Sequence, residues 1–303
     1  MTAKRIAFFS SKTLVAGAFL APVFLLLILF RFYPIGSALF HSFTRWDGYT
    51  AGSFVGLDNY ARLVGDSNMI ASARNIGWFV VGRLVLNLTF PMLGAMLIFH
   101  LRNRRAGYVY RVAFMVPMVV PLLVVLLVWR FIYHPHDGIL NQLLGSIGLS
   151  SLQRIWLADF DTALWSVIGM GFPWVTGLGI AGFGVLIYLA GLQNIPTDVF
   201  DALTVDGCRT PARVFRIELP LIANQIKLVA ALTIINTLQS YVPVMILTGG
   251  GPSNASLVPG LYLYRMAFNY DRFGYASAIG VLMAVVLIVM TMITNRFVRT
   301  RTE

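Results

Sequence analysis

Ile195-Pro-Thr-Asp-Val-Phe-Asp-Ala-Leu-Thr-Val-Asp206-Gly207-Cys-Arg-Thr-Pro-Ala-Arg-Val-Phe-Arg-Ile-Glu-Leu-Pro220 is a polar stretch between two long apolar runs. Its local chemistry predicts two short helices joined by a turn. Thr197 is placed to cap a helix amide, Val199, Ala202, Leu203 and Val205 supply an apolar side, and Gly207 suits a left-handed stop. A second helix is expected to start at Thr210, a cap residue followed by Pro211, whose missing N–H costs nothing in a first turn; Pro220 then closes the segment. The same residues would also make an ordinary connecting loop. In a chain this apolar, such an element reads as a dock for a soluble partner.

The rest of the chain calls for hydrocarbon as its solvent. Charged residues are 12% of the 303, against roughly 25% in a soluble domain, and mean hydropathy is +0.77. Six apolar runs reach the length of about 20 residues that crosses a bilayer. They fall near 14–34, 77–100, 109–133, 163–190, 227–248 and 274–295, and all twelve carboxylates lie outside them or at their margins. The expectation is an all-α integral membrane protein: one transmembrane domain over 1–303, six spans, and the polar loop 195–220 between the fourth and fifth.

Basic residues set the orientation. With the amino terminus inside, fourteen Lys and Arg fall on the cytoplasmic side, among them Lys4, Arg5, Arg102, Arg104, Arg111, Arg213 and Arg299, and six on the other. The positive-inside rule therefore places both termini and the 195–220 loop in the cytoplasm of a multi-pass protein. The net charge of +11 is scattered over four short segments and forms no stripe, which argues against a nucleic-acid partner and fits contact with the headgroups of a lipid bilayer. The first run lacks a small-residue cleavage site before Arg31, so it reads as a retained anchor.

Catalytic groups are scarce. Cys208 is the single cysteine, which excludes an intrachain disulfide. His134-Pro-His136-Asp137 either ligates a metal or forms an extracytoplasmic turn, and no other ligand type is near it in sequence. Gly249-Gly-Gly251-Pro252 lacks the Lys-Ser/Thr of a phosphate loop and reads as a turn at the outer end of a span. No catalytic residue, metal site or cofactor is expected in this chain.

Asp201-Ala202-Leu203, Asp206-Gly207-Cys208 and Ile217-Glu218-Leu219-Pro220 together resemble the cytoplasmic signature loop of membrane subunits of binding-protein-dependent ABC importers. That signature runs Glu-Ala-Ala, three residues, Gly, then Ile-x-Leu-Pro, with the same Gly-to-Pro spacing. Asp for Glu, Leu for the second Ala, and Val214 for Phe are departures that keep charge sign or apolarity. Phe54-Val-Gly-Leu-Asp-Asn-Tyr60, Arg111 to Pro117, Trp129-Arg130, Gly138-Ile-Leu-Asn141, Ala190-Gly-Leu-Gln-Asn-Ile-Pro196, Leu247-Thr-Gly-Gly-Gly-Pro252 and Phe273-Gly-Tyr-Ala-Ser-Ala278 extend the likeness over nearly the whole chain. The set is similar to the maltose and glycerol-3-phosphate type of carbohydrate permease, in the subunit class that carries Gly-Leu-Asp-Asn-Tyr.

The resemblance implies a type I ABC importer permease of a bacterial cytoplasmic (inner) membrane. Its partners would be a second, homologous permease subunit, two ATPase subunits that bind ATP and Mg²⁺, and an extracytoplasmic solute-binding protein. The chain itself would hydrolyse nothing. The loop helix would dock in an ATPase groove, filled by Val199, Leu203 and Val205 beside Ala202, with Asp201 and Asp206 at the rim and Gly207 making the turn. The rival reading is a secondary transporter or channel acting alone, which would need an intramembrane carboxylate or histidine relay, or a filter; the spans offer no such pattern.

Polar residues inside spans are candidates for the solute path. Thr233, Asn236, Thr237 and Ser240 fall at i, i+3, i+4 and i+7, so a continuous helix puts them on one face. Hydroxyls and an amide suit a sugar or polyol; the same groups also serve as interhelical hydrogen bonds. The resemblance places Thr233, Thr237 and Ser240 at sugar-contacting positions. Trp174 and Tyr241 are candidates to stack on a sugar face, or they simply pack. Arg83, within the second run, either snorkels to the outer interface or lines the cavity, where it would favour an anionic solute such as a glycerol phosphate.

Overall fold

The computed structural model describes residues 11–171, 180–208 and 210–297. Helix α1 (Ser11–Leu27) continues through a π-helical stretch, Ile28–Phe32, into α2 (Tyr33–His41). A two-residue antiparallel ribbon follows, β1 (Thr44–Arg45) with β2 (Ser53–Phe54), and then α3 (Asp58–Gly65). Helix α4 (Ser67–Phe99) starts well before the expected second span because Asp66 caps it, accepting the amides of Asn68 at 2.9 Å and Met69 at 3.3 Å.

Proline breaks the expected third span. The third is a pair of helices, α5 (Arg104–Val119) and α6 (Leu122–Ile132), bent by 95°. Pro121 pushes the residue before it out of helical geometry, and Val120 is extended at φ −72°, ψ 127°. After α7 (Ile139–Ser146), the fourth run holds α8 (Ala163–Gly169) and α9 (Ile180–Gln193); Pro173 and Trp174 lie outside the described residues. The polar segment forms α10 (Thr197–Val205), α11 (Thr210–Arg213), a π-helical stretch Val214–Glu218 and α12 (Leu219–Leu221). Pro220 thus does not close the segment. It sits in the first turn of α12, and the chain bends 66° at Ile222 into α13 (Ala223–Gln239).

Helix α13 stops at Gln239 because Pro243, which would donate the next-turn hydrogen bond to that carbonyl, has no N–H. Ser240 is extended, and α14 (Val242–Leu247), α15 (Pro259–Phe268) and α16 (Phe273–Phe297) complete the fold. Among the described residues, Val15–His41, Ser67–Phe99 and Phe273–Thr294 are long and apolar enough to cross a membrane unbroken. Two further apolar segments, Arg104–Ile132 and Val214–Gln239, are bent helix pairs, and among the described residues the fold is all-α apart from the ribbon, as expected.

The chain divides into two compact units, Met1–Leu63 with Leu263–Leu282, and Val64–Tyr262 with Met283–Glu303. In the first, Asn59 Nδ2 donates to the carbonyls of Ser42 and Thr44, both at 2.9 Å, and Tyr60 Oη donates to Ser42 Oγ at 2.7 Å. Gly274 rests on the same turn: its amide donates to Trp46 O at 2.9 Å, and a Cβ there would lie 2.1 Å from Thr44 O. Two of the quoted motifs thus converge on residues 42–46. Asn59→Leu is expected to strand two buried carbonyls, at about 1–3 kcal/mol each; a lower thermal midpoint of the detergent-purified protein checks it.

In the second unit, α4, α9 and α13 pack around Ala95, Met96, Val185, Tyr188, Leu192 and Val229. Glycines in and just after the fourth run permit close helix approach: a Cβ on Gly182 would lie 2.4 Å from Phe114 O, and one on Gly191 2.7 Å from Gln225 Cδ. The Gly249-Gly250-Gly251 stretch is a turn after α14, and Asn75 Nδ2 braces the loop beyond it by donating to Asn254 O and Leu257 O, both at 2.9 Å.

Candidate functional site

Helix α10 begins differently from the expected pattern and ends as expected. Pro196, not Thr197, is the cap residue; its fixed backbone (φ −56°, ψ 141°) makes the non-helical approach, and its carbonyl accepts the amide of Val199 at 3.2 Å. At the other end Gly207 is left-handed at φ +62°, Cys208 N donates to Leu203 O at 3.0 Å and Gly207 N to Thr204 O at 3.2 Å. These two bonds are a Schellman closure. Asp201, Ala202, Val205, Asp206 and Gly207 are exposed, Val205 by 88%. Leu203 is half-buried, and Val199 with Phe200 packs against the α4–α9–α13 core. The apolar side therefore divides: Val199 secures the helix inward while Ala202 and Val205 face outward.

Beneath this helix lies a charged cluster that the motif reading missed. Glu218, fully buried, accepts from Arg213 Nε at 2.7 Å and faces His100 Nε2 at 3.1 Å, both through Oε1. His100 Nδ1 is 2.8 Å from Met96 O. Both ring nitrogens thus face oxygens. Glu218 Oε2 is buried without a partner among the described residues. The available signal was a lone carboxylate flanked by Ile217 and Leu219, with Arg213 five residues upstream.

The four residues expected on one face of the fifth span separate. Thr233 and Thr237 are buried, and Asn87 Nδ2 donates to Thr233 Oγ1 at 3.3 Å across α4 and α13; Asn87 Oδ1 is buried without a partner among the described residues. Asn236 is exposed, its Nδ2 on Leu232 O at 2.8 Å. Ser240 (φ −86°, ψ 117°) has left the helix, so it does not share the face. Tyr241 follows it, half-buried, and a Cβ on Gly260 would meet Tyr241 Cβ at 3.1 Å.

Arg83 takes neither of its expected places. Its side chain is fully buried, with Nη2 donating to Val167 O at 2.9 Å and Nη1 to Met170 O at 3.2 Å. These carbonyls close the end of α8, where a helix has no partners for its last acceptors and where positive charge is favoured. A planar guanidinium spans two of them at once. His134 and Asp137 form a turn ahead of α7, with Asp137 N donating to His134 Nδ1 at 3.1 Å; among the described residues no three His, Cys, Asp or Glu converge.

Residues 89–303 match the family described as the binding-protein-dependent transport system inner membrane component. The probable ABC transporter permease protein YurN of Bacillus subtilis is 31% identical over 286 residues, 94% of this chain and 96% of that protein. The diacetylchitobiose uptake system permease protein NgcF of Streptomyces coelicolor is 28% identical over 90% of this chain and 78% of its own length. The fold is shared with a bacterial ABC transporter involved in the import of the acidic polysaccharide alginate, at a TM-score of 0.82 over 97% of this chain and 98% of that one, with 20% identity. The chain belongs to the binding-protein-dependent inner membrane component family. It is the permease subunit of an ABC importer that works with a binding protein.

Proposed function

We propose that this subunit imports a carbohydrate, a sugar or polyol, as one of two homologous permeases driven by two ATPase subunits that hold ATP and Mg²⁺. The chain itself carries out no hydrolysis. Both termini and α10 face the cytoplasm, in line with the bias of basic residues. The observation that carries this reading is the exposed end of α10: Ala202, Val205 and the acidic rim Asp201 and Asp206 project from a helix locked at Gly207 and rooted in the core through Val199. Such an element transmits differential binding energy between two states of the permease.

Carbohydrate as the solute class is supported by the diacetylchitobiose named for one relative and by the hydroxyl and amide chemistry of α13. The solute path runs along the broken end of α13, with Asn236, Ser240 and Tyr241 facing the solute and Thr233 holding the helix to α4 through Asn87; Trp174, outside the described residues, is a further candidate to stack on the solute. Arg83, occupied by two carbonyls, gives no reason to favour an anionic solute.

The test is ATP hydrolysis by the reconstituted complex with its binding protein, screened against neutral sugars, polyols and glycerol phosphates. Stimulation by one carbohydrate, dependent on the binding protein, is expected; uptake that persists without ATPase subunits would give the secondary-transporter reading instead. Asn236→Ala is expected to assemble normally, since the residue is exposed, and to weaken the apparent solute affinity by about 2- to 10-fold, the worth of one hydrogen bond. An unchanged solute titration would leave that face without a role in recognition.

A further inference from the structure

Glu218 is the one fully buried carboxylate among the described residues, and it lies in the coupling segment instead of along the solute path. Its Oε1 joins three elements at a single atom: the π-helical stretch it belongs to, α11 through Arg213 Nε at 2.7 Å, and the end of α4 through His100 Nε2 at 3.1 Å. The Arg213 guanidinium lies 4.6 Å from the ring centroid of Phe200 on α10. Phe200 in turn packs 5.7 Å from Phe99 in the last turn of α4. Two routes therefore connect α10 to α4, one apolar through Phe200 and Phe99, the other charged through Phe200, Arg213, Glu218 and His100.

An apolar side chain would fill position 218 without the desolvation that a buried carboxylate suffers. What the charge adds is a fixed distance and direction, because charge-assisted hydrogen bonds are short and oriented whereas apolar surfaces slide over one another. We propose, building on the importer reading above, that Glu218 is a positioning residue for coupling. It holds α10 at a set distance from α4 through Arg213 and His100, so a displacement of α10 by an ATPase subunit moves α4, and with it the Asn87 and Arg83 contacts, without being absorbed in the loop.

The experiment is the ratio of ATP hydrolysed to solute imported by the full complex in proteoliposomes containing the binding protein. Glu218→Gln keeps the shape and removes the charge; hydrolysis within twofold of wild type and uptake lowered about tenfold are expected. The double variant Arg213→Gln/Glu218→Gln removes both charges of the ion pair. It is expected to assemble as wild type does and to remain as uncoupled as the single variant. His100 is about one-third exposed, so His100→Leu carries little folding risk and is also expected to raise the ratio, while His100→Gln, which retains a donor for Glu218, restores it. Wild-type coupling in the double variant or in His100→Leu would overturn the proposal, as would uptake and hydrolysis falling in proportion, the mark of less active protein. A wild-type complex showing no stimulation by solute and binding protein would instead remove the importer reading and this proposal together.

Discussion

Gly207→Pro is expected to abolish coupled transport. Proline holds φ near −65°, whereas Gly207 sits at φ +62° and its amide donates to Thr204 O at 3.2 Å. The substitution therefore inverts the turn and deletes a bond of the Schellman closure, at a cost of about 3 kcal/mol or more. The chain beyond Asp206 would leave α10 in a different direction, the last turn holding Val205 would lose its closure, and the surface offered to an ATPase subunit would be lost. Gly207→Ala separates conformation from space. Nothing lies within 4 Å of a Cβ at this position, so alanine meets no clash and bears only the left-handed strain of about 1–2 kcal/mol. Solute-stimulated ATP hydrolysis in the assembled complex is the measurement: near-background for proline, a modest reduction for alanine. Full stimulation in Gly207→Pro would sink the docking role of α10.

The end of α10 was legible because its signal is local, a glycine one turn after an apolar residue. The membrane-spanning character was legible from apolar run length for the same reason, but continuity of the spans was not. Pro22, Pro91 and Pro117 lie inside unbroken helices, whereas Pro121 and Pro243 accompany breaks. A proline in an apolar run thus has two outcomes, decided by whether neighbouring elements satisfy the freed carbonyl, which no window of sequence contains. Helical period correctly placed Thr233 and Thr237 together. It could not show that Thr233 meets Asn87 of α4 while Asn236 is exposed, because Asn87 is 146 residues from Thr233.

The same limit hid the Glu218 cluster. Arg213 is only five residues away, but His100 is 118 residues distant in the chain. Within the signature Ile-x-Leu-Pro the variable position carries no expectation of its own, so Glu218 was indistinguishable from a spacer. Burial is what converts it: the flanking Ile217 and Leu219 are half-buried, Leu219 against the α4–α9–α13 core, and a carboxylate drawn in with them must find partners.

Arg83→Met is the second change with a large expected effect. It keeps an unbranched stem, shorter than arginine's, and removes both donors, leaving Val167 O and Met170 O at the end of α8 without the guanidinium that now joins them to α4. Each stranded carbonyl costs about 1–3 kcal/mol, partly offset because a buried cation is no longer required. The expected result is a lower thermal midpoint and less assembled complex in detergent, with unchanged solute affinity in the fraction that assembles. Arg83→Lys should fall between the two, since an ammonium lacks the planar fork that spans two carbonyls. Solute affinity is the discriminating measurement. If Arg83 met an anionic solute directly, Arg83→Lys would preserve assembly and shift the solute titration; if it closes α8, the midpoint moves and the titration does not. The geometry of two short contacts to main-chain oxygens on one helix end supports the second outcome, and a shifted titration at wild-type stability would overturn it.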